Sequence, residues 1–379
     1  MKVKFNLYIV FLLSLFHFYT CHAQPGKQPI QIGINYHYGF LLNHAPKRTH
    51  IGGPVLKTLN GVEINATWQT LGSKPWHKYY GFPKWGASLI YYSVGEKSTY
   101  VKYDQKDFTV YDVDFGDCYT LLIHSSLKPI TTRYFEMNIR LGTGLGYFTK
   151  VYNANDNPGN LWISSRINPS MHLNIEGQFN LSPQWAFIVG GAYTHFSNGA
   201  TRMPNLGVNF PTANVGLRFT PFPERKLIKR DSIYPEAKKN YLHFSIAGGT
   251  KVLAEYGTTY YPTLAASVMY GRRVGKISKL LVSIDAFRDG SLLGDSLGTN
   301  KNKDLNRYGI WVGHEFLHGR LGLIFGVGYY FYKKTERDAP TYIKVGLRHY
   351  FQKHFFGGVT LKTHYGQADC FEWTLGYTL

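Results

Sequence analysis

Residues 171–181 read MHLNIEGQFNL, and their polarity alternates at every step. Successive side chains of a strand point to opposite faces. One face of this segment therefore carries Met171, Leu173, Ile175, Gly177, Phe179 and Leu181, and the other His172, Asn174, Glu176, Gln178 and Asn180. Segment 135–148 behaves likewise: Phe135, Met137, Ile139, Leu141, Leu145 and Tyr147 oppose Glu136, Asn138, Arg140 and the glycines Gly142, Gly144 and Gly146. At the C-terminus Phe371, Trp373, Leu375, Tyr377 and Leu379 alternate with Glu372, Thr374, Gly376 and Thr378. A soluble sandwich alternates too, with its polar residues in water. Here the apolar faces are long and edged with Tyr, Trp and Phe, like an aromatic girdle. The polar faces hold Glu, Arg, Asn, Gln and Gly but few lysines, which suits a confined interior.

Composition agrees. Of 379 residues, 44% are hydrophobic, 16% aromatic and only 17% charged, with 30 Tyr, 25 Phe and 40 Gly. Disordered chains are poor in aromatics and rich in charge, so disorder is excluded. Past the N-terminus no run of about 18 apolar residues exists to form a spanning helix. At the N-terminus, Lys2 and Lys4 precede the apolar run Leu7–Phe18, and Cys21-His22-Ala23 supplies small residues at −3 and −1. This is the pattern of an export signal cleaved after Ala23. Export without a spanning helix points to an all-β, antiparallel transmembrane barrel, because hydrocarbon tolerates no open sheet edge.

Sixteen strand candidates are legible. Eight begin near Ile30, Val62, Trp85, Phe108, Tyr134, Met171, Trp185 and Thr212. Eight more begin near Leu242, Tyr261, Lys279, Tyr308, Leu321, Tyr342, Phe355 and Phe371. The reading gives a signal peptide at 1–23, a first half at 24–220, a charged linker at 221–240 and a second half at 241–379. The halves echo each other: VGGAYTHFSNG (189–199) matches FGGVTLKTHYG (356–366), and Gly144–Lys150 matches Gly326–Lys333. Such self-similarity implies an eight-stranded unit used twice. One sixteen-stranded barrel is the preferred closure, and two tandem eight-stranded barrels the alternative.

The formal net charge is +19, two units of it from Lys2 and Lys4. The basic residues are spread through turns, and no zinc-finger, helix-turn-helix or RNA-binding pattern accompanies them, so nucleic acid is not an expected partner. Anionic lipid head groups are. Cys118 and Cys370 are expected to be unpaired. The histidines, including His37, His44 and His50, lack metal-ligand spacing, so neither a structural metal nor a cofactor is expected. Gly142-Thr-Gly144-Leu-Gly146 is followed by no helix, and these glycines serve to relieve crowding inside a narrow barrel.

The segment from Trp185 ends in Tyr193-Thr-His195-Phe-Ser197-Asn198-Gly199. Parity places His195 and Ser197 on one face, the one that meets lipid, where polar groups need a reason. If the chain enters from the periplasm, this pair lies at the outer end of its strand. The loop 198–208 returns into the next strand, where Asn209 has lipid-facing parity beside the pair. An imidazole next to a hydroxyl is a nucleophile with its base: Ser197 attacks and His195 accepts the proton. The Asn198 and Gly199 backbone N–H groups and the Asn205 amide are candidate oxyanion donors. Asn209 can fix the imidazole through its carbonyl oxygen without supplying a negative charge.

His195-Phe-Ser197-Asn198-Gly199, followed by Pro204-Asn205-x-Gly207-x-Asn209, resembles the active-site signature of the outer-membrane lipid A 3-O-deacylases (PagL-like), of acyloxyacyl hydrolase type. The resemblance implies an eight-stranded outer-membrane barrel that hydrolyses the ester-linked acyl chain at position 3 of lipid A. Its serine nucleophile would be Ser197, its base His195, and its orienting residue would stand at 209, where this chain has Asn in place of the family's Glu. The implied partners are lipid A or lipopolysaccharide acyl chains and the outer membrane, and the expected enzyme is slower than its relatives. A non-catalytic porin or adhesin with a relic triad is the alternative. The second half has His364 after Thr363, as His195 follows Thr194, but Gly366 stands where a serine is needed. His364 has inward parity, so the second half reads as scaffold or docking surface.

Overall fold

In the computed structural model, the described residues are 30–42, 51–52, 57–72, 75–95, 98–104, 107–223, 239–253, 259–294, 304–336, 338–351, 354–364 and 367–379. The export signal at 1–23 and most of the charged connection lie outside them. Strands are β1 (Ile30–Leu41), β2 (Ile51–Gly52), β3 (Lys57–Gln69), β4 (Lys84–Ser93), β5 (Ser98–Asp104), β6 (Asp107–Val113), β7 (Asp117–Thr131), β8 (Phe135–Phe148), β9 (Ile167–Asn180), β10 (Trp185–Phe196) and β11 (Val208–Phe219). There follow β12 (Asn240–Lys251), β13 (Tyr261–Arg273), β14 (Ser278–Asp289), β15 (Asn306–His318), β16 (Leu321–Tyr332), β17 (Thr341–Tyr350), β18 (Phe355–His364) and β19 (Gln367–Thr378). A single-turn helix, α1 (Pro75–Tyr79), sits between β3 and β4.

The ladders close twice. β1-β11-β10-β9-β8-β7-β4-β3 form one antiparallel barrel, sealed where β1 pairs with both β3 and β11. β12 to β19 form a second, sealed by β12 against β19. This corrects the preference for one sixteen-stranded barrel: β1 and β11 meet before the chain reaches the second set, so no edge is left open to merge them. A second correction concerns the fourth strand. The segment from Phe108 is a strand, but it belongs to a separate three-stranded sheet with order β2-β5-β6. The barrel uses β7 instead, a segment whose outward positions include Asp117, Ser125 and Pro129, which weaken its apolar period.

Alternation is realised as expected. Leu173 and Ile175 are exposed on the outer wall of β9, while His172, Asn174 and Glu176 are buried. Tyr38, Phe40, Tyr147 and Tyr193 are exposed towards the end carrying the longer loops, and Trp68, Trp185 and Phe179 towards the other. The interiors are filled. In the first barrel Arg140 grips both oxygens of Glu63 (2.6 and 2.9 Å), and Arg218 holds Glu176 at 2.6 Å. An apolar cluster including Tyr92, Phe148, Trp162, Phe196 and Phe210 occupies the end nearer the long loops. In the second barrel Lys344–Asp285 (2.5 Å), Lys279–Glu315 (2.7 Å) and Lys251–Asp369 (2.5 Å) are closed ion pairs. Paired buried charges avoid the penalty of a lone one, and what they leave is a packed interior.

The inward glycines do relieve crowding. A Cβ on Gly144 would stand 1.9 Å from the Leu121 carbonyl oxygen, and one on Gly146 would meet the Phe196 ring at 2.4 Å. The two internal echoes fall on equivalent strands, the seventh of each barrel (β10 and β18) and the fifth (β8 and β16). Cys118 and Cys370 are free thiols, each buried in its own barrel.

The barrels touch near both ends. Where the chain passes from one to the other, Ser125 Oγ and His318 Nε2 share a 2.7 Å hydrogen bond, and Arg273 donates to the Tyr79 hydroxyl of α1 at 3.3 Å. At the opposite end, the Val252 N–H donates to the Ala200 carbonyl at 3.0 Å.

Candidate active site

Strand β10 delivers the site. The inward residues on either side of His195 are pinned. Thr194 Oγ1 bonds the Tyr92 hydroxyl (3.0 Å) and His172 Nδ1 (2.9 Å), and the Phe196 ring packs on Phe148 and Phe210 at 5.2 and 5.3 Å between centroids. With its neighbours held inward, His195 must project from the outer wall, in line with exposed Tyr193, Val189 and Phe187. Its ladder partner on β11 is Asn209. Across that pair His195 Nδ1 lies 2.7 Å from Asn209 Oδ1.

Asn209 is itself fixed: its Nδ2 donates to the Leu42 carbonyl at 3.2 Å, and its backbone carbonyl accepts from the Leu42 N–H at 2.9 Å. An amide whose NH2 end is committed this way presents its oxygen to the imidazole. The proton then sits on Nδ1 and the lone pair on Nε2. The imidazole also depends on Gly207, where φ is +74° and a Cβ would stand 3.0 Å from His195 Cε1.

Ser197 follows the last residue of β10 and is buried, only 5% exposed. Its Oγ accepts from Asn205 Nδ2 at 2.9 Å and from the Gly199 N–H at 3.3 Å. Two of the three proposed oxyanion donors therefore converge on the hydroxyl. The third does not: the Asn198 N–H is engaged by Asn205 Oδ1 at 3.2 Å. That bond instead orients the Asn205 amide, turning its NH2 towards Ser197. The Asn198 side chain ties the loop down, donating to Ser164 Oγ, Ser165 Oγ and the Arg202 carbonyl. These supports from 161–165, with Trp162 and Leu161 accepting from Gly207 and Leu206, were invisible in the sequence, as was Leu42. They act through backbone groups or short hydroxyls that leave no pattern.

Below the site, the outer wall carries a groove of about 640 Å3. Tyr38, Phe40, Leu173 and Tyr193 rim it, and Gly191 and Ala213, direct ladder partners, lie along it. A Cβ on Gly191 has no atom closer than 3.9 Å, so the groove there is open space. In the second barrel His364 turns inward, its Nε2 3.0 Å from the buried Tyr330 hydroxyl, and takes no part in this arrangement.

Fold and site together define a tandem β-barrel protein with a His195–Asn209 pair and a hydroxyl, Ser197, that accepts two N–H donors at the long-loop end of its first barrel. Residues 60–218 match the model of the lipid A 3-O-deacylase (PagL) family, and residues 240–379 that of the acyloxyacyl hydrolase C-terminal domain. The chain belongs to the PagL lipid A 3-O-deacylase family, with the two matches covering most of its length. No curated protein matches it. Among solved structures it is similar to Ail, the attachment invasion locus protein of Yersinia pestis, at 15% identity over 51% of this chain and 99% of that one, with a TM-score of 0.26. The β-domain of the Bordetella autotransporter BrkA is 10% identical over 92% and 98%, with a TM-score of 0.23. A triple mutant of Rhodopseudomonas blastica porin is 9% identical over 92% and 100%, with a TM-score of 0.18.

Proposed function

We propose that this protein is an outer-membrane serine esterase that removes the acyl chain ester-linked at position 3 of lipid A. The reading is carried by one observation: two N–H donors meet at Ser197 Oγ, two residues along the chain from an imidazole whose tautomer is fixed by Asn209. Outer-membrane barrels keep short turns on the periplasmic side and long loops outside. Two of the three hairpin connections at the far end, 131–135 and 180–185, are short, the third carrying α1, whereas 148–167 and 196–208 at the site's end are long. That orientation sets the site at the level of the outer leaflet, where lipid A resides.

In the reaction, His195 Nε2 takes the Ser197 proton as Oγ bonds to the ester carbonyl carbon. Both contacts on Oγ are donors to its lone pairs, so its own O–H is free to donate to Nε2 when substrate aligns the two; catalytic hydrogen bonds commonly align only in the complex. The vacated Asn205 Nδ2 and Gly199 N–H then face the carbonyl oxygen, which becomes the oxyanion. Collapse breaks the ester C–O bond, His195 gives its proton to the departing sugar oxygen, which leaves as a hydroxyl, and an acyl-serine remains. Water, deprotonated by His195, attacks the acyl-serine carbonyl and releases the fatty acid with Ser197 restored. The groove beneath receives the acyl chain, since Gly191 and Ala213 leave room that the flanking Tyr and Leu side chains make apolar.

The test is fatty-acid release from purified lipid A by the refolded protein. Wild type should release a 3-hydroxy fatty acid, and Ser197→Ala should not. Equal release by the two would remove Ser197 from the chemistry.

A further inference from the structure

The loop that carries the Gly199 N–H has left-handed backbone at two consecutive residues, Gly199 (φ +62°) and Ala200 (φ +62°). Glycine takes this conformation freely, but alanine does not, so Ala200 needs support from its surroundings. Within the first barrel the loop is tied at Asn198, through its side chain, and at Thr201, whose Oγ1 donates to the Asn198 carbonyl at 2.8 Å. Between those ties, Gly199 and Ala200 meet the second barrel. The Ala200 carbonyl accepts from the N–H of Val252, the residue after β12. Gly199 lies against the Phe371 ring of β19, so close that a Cβ there would come within 2.1 Å of the ring. Val252 is buried and Ala200 only 6% exposed, so this contact is closed to solvent.

We infer that the second barrel completes the esterase site in cis, with Phe371 and Val252 acting as positioning residues that hold Gly199 so that its N–H points at Ser197. This rests on the esterase reading above. The ring of Phe371 blocks the loop from relaxing outward, and the Val252 N–H fixes the peptide of Ala200 in its uncommon conformation. The second barrel lacks a serine at position 366 and needs none. Its contribution is the rigidity of one oxyanion donor, an effect that appears in the transition state and not in substrate binding.

The experiment uses the full chain, refolded, with three readouts: kcat and KM on lipid A, heat-modifiable gel mobility as the check of barrel folding, and amide exchange of residues 197–202. Phe371→Ala should lower kcat about tenfold with KM unchanged, should keep its folded mobility, and should speed exchange across 197–202. Phe371→Tyr, which keeps the ring, should restore both kcat and protection. An active wild type with kcat and exchange unaltered in Phe371→Ala would overturn this inference and leave the esterase reading intact. A wild type without hydrolysis, tested in parallel with Ser197→Ala, would overturn both.

Discussion

His195 Nδ1 and Asn209 Oδ1 stand 2.7 Å apart across a single ladder rung of the first barrel, on its outer wall. Because the Asn209 NH2 is held by the Leu42 carbonyl, the amide cannot flip to offer a donor to the imidazole. The costly failure of an Asp-to-Asn exchange in serine proteases comes from the wrong tautomer. In the proposed site the amide holds the tautomer that leaves Nε2 free to act as base, without a carboxylate's charge. Asn209→Ala should therefore lower kcat about 10- to 100-fold, with folded gel mobility retained. Steady-state hydrolysis of lipid A checks it, and an unchanged kcat would free His195 from any dependence on residue 209.

Asn205→Ala removes the nearer donor to Ser197 Oγ, 2.9 Å away. Loss of one oxyanion donor costs about 10²–10³ in kcat. The expected signature is a fall in kcat with KM preserved, since the interaction forms with developing charge. A rise in KM alone would mean that Asn205 binds the substrate's ground state.

The groove makes its own prediction. Gly191 faces open space, so Gly191→Phe would fill the groove without pressing on the backbone. Hydrolysis of long-chain esters should drop at least tenfold in kcat/KM, while a two-carbon acyl ester should be cleaved as before. Parallel assays on the two substrates separate chain accommodation from chemistry; equal losses on both would place the acyl chain elsewhere.

Much of this was legible in the sequence, and the reasons for the remainder are physical. Alternation located seven of the first barrel's strands and all eight of the second's, because one face meets lipid and the other a polar interior. It failed at β6 and β7, where Phe108, Val110, Tyr111 and Val113 have a strand's composition without clean alternation and the outward face of β7 loses its apolar character at Ser125 and Pro129. Which barrel a strand joins is decided by pairing between residues far apart in sequence, such as Tyr36 with Val215, and periodicity carries no trace of that. Parity did set Asn209 beside His195, as the ladder has it. The role of the Asn198 N–H was misread because a side chain seven residues later, Asn205, engages it.

The interior charges bear on stability. Arg140 is 1% exposed and holds both oxygens of the equally buried Glu63. Removing one partner of a buried pair costs about 3–5 kcal/mol because a lone charge is left behind. Arg140→Met should lower the temperature at which the folded gel band is lost, with no direct effect on Ser197. An unchanged transition would mean that Glu63 finds other compensation from Asn35 and His37, which also touch it.

Packed interiors predict poor conductance. Arg140, Arg307, Trp311 and Lys362 are among the fully buried side chains that fill the two barrels. Reconstituted into planar bilayers, the protein should give no stable porin-like current steps; sustained steps would favour a channel over a hydrolase.

The most direct measurement is mass spectrometry of lipid A from cells producing either wild type or Ser197→Ala at equal levels in the outer membrane. The account predicts that only wild type yields lipid A lacking the 3-hydroxyacyl chain at position 3. Identical lipid A in both, or the same loss in both, would contradict it.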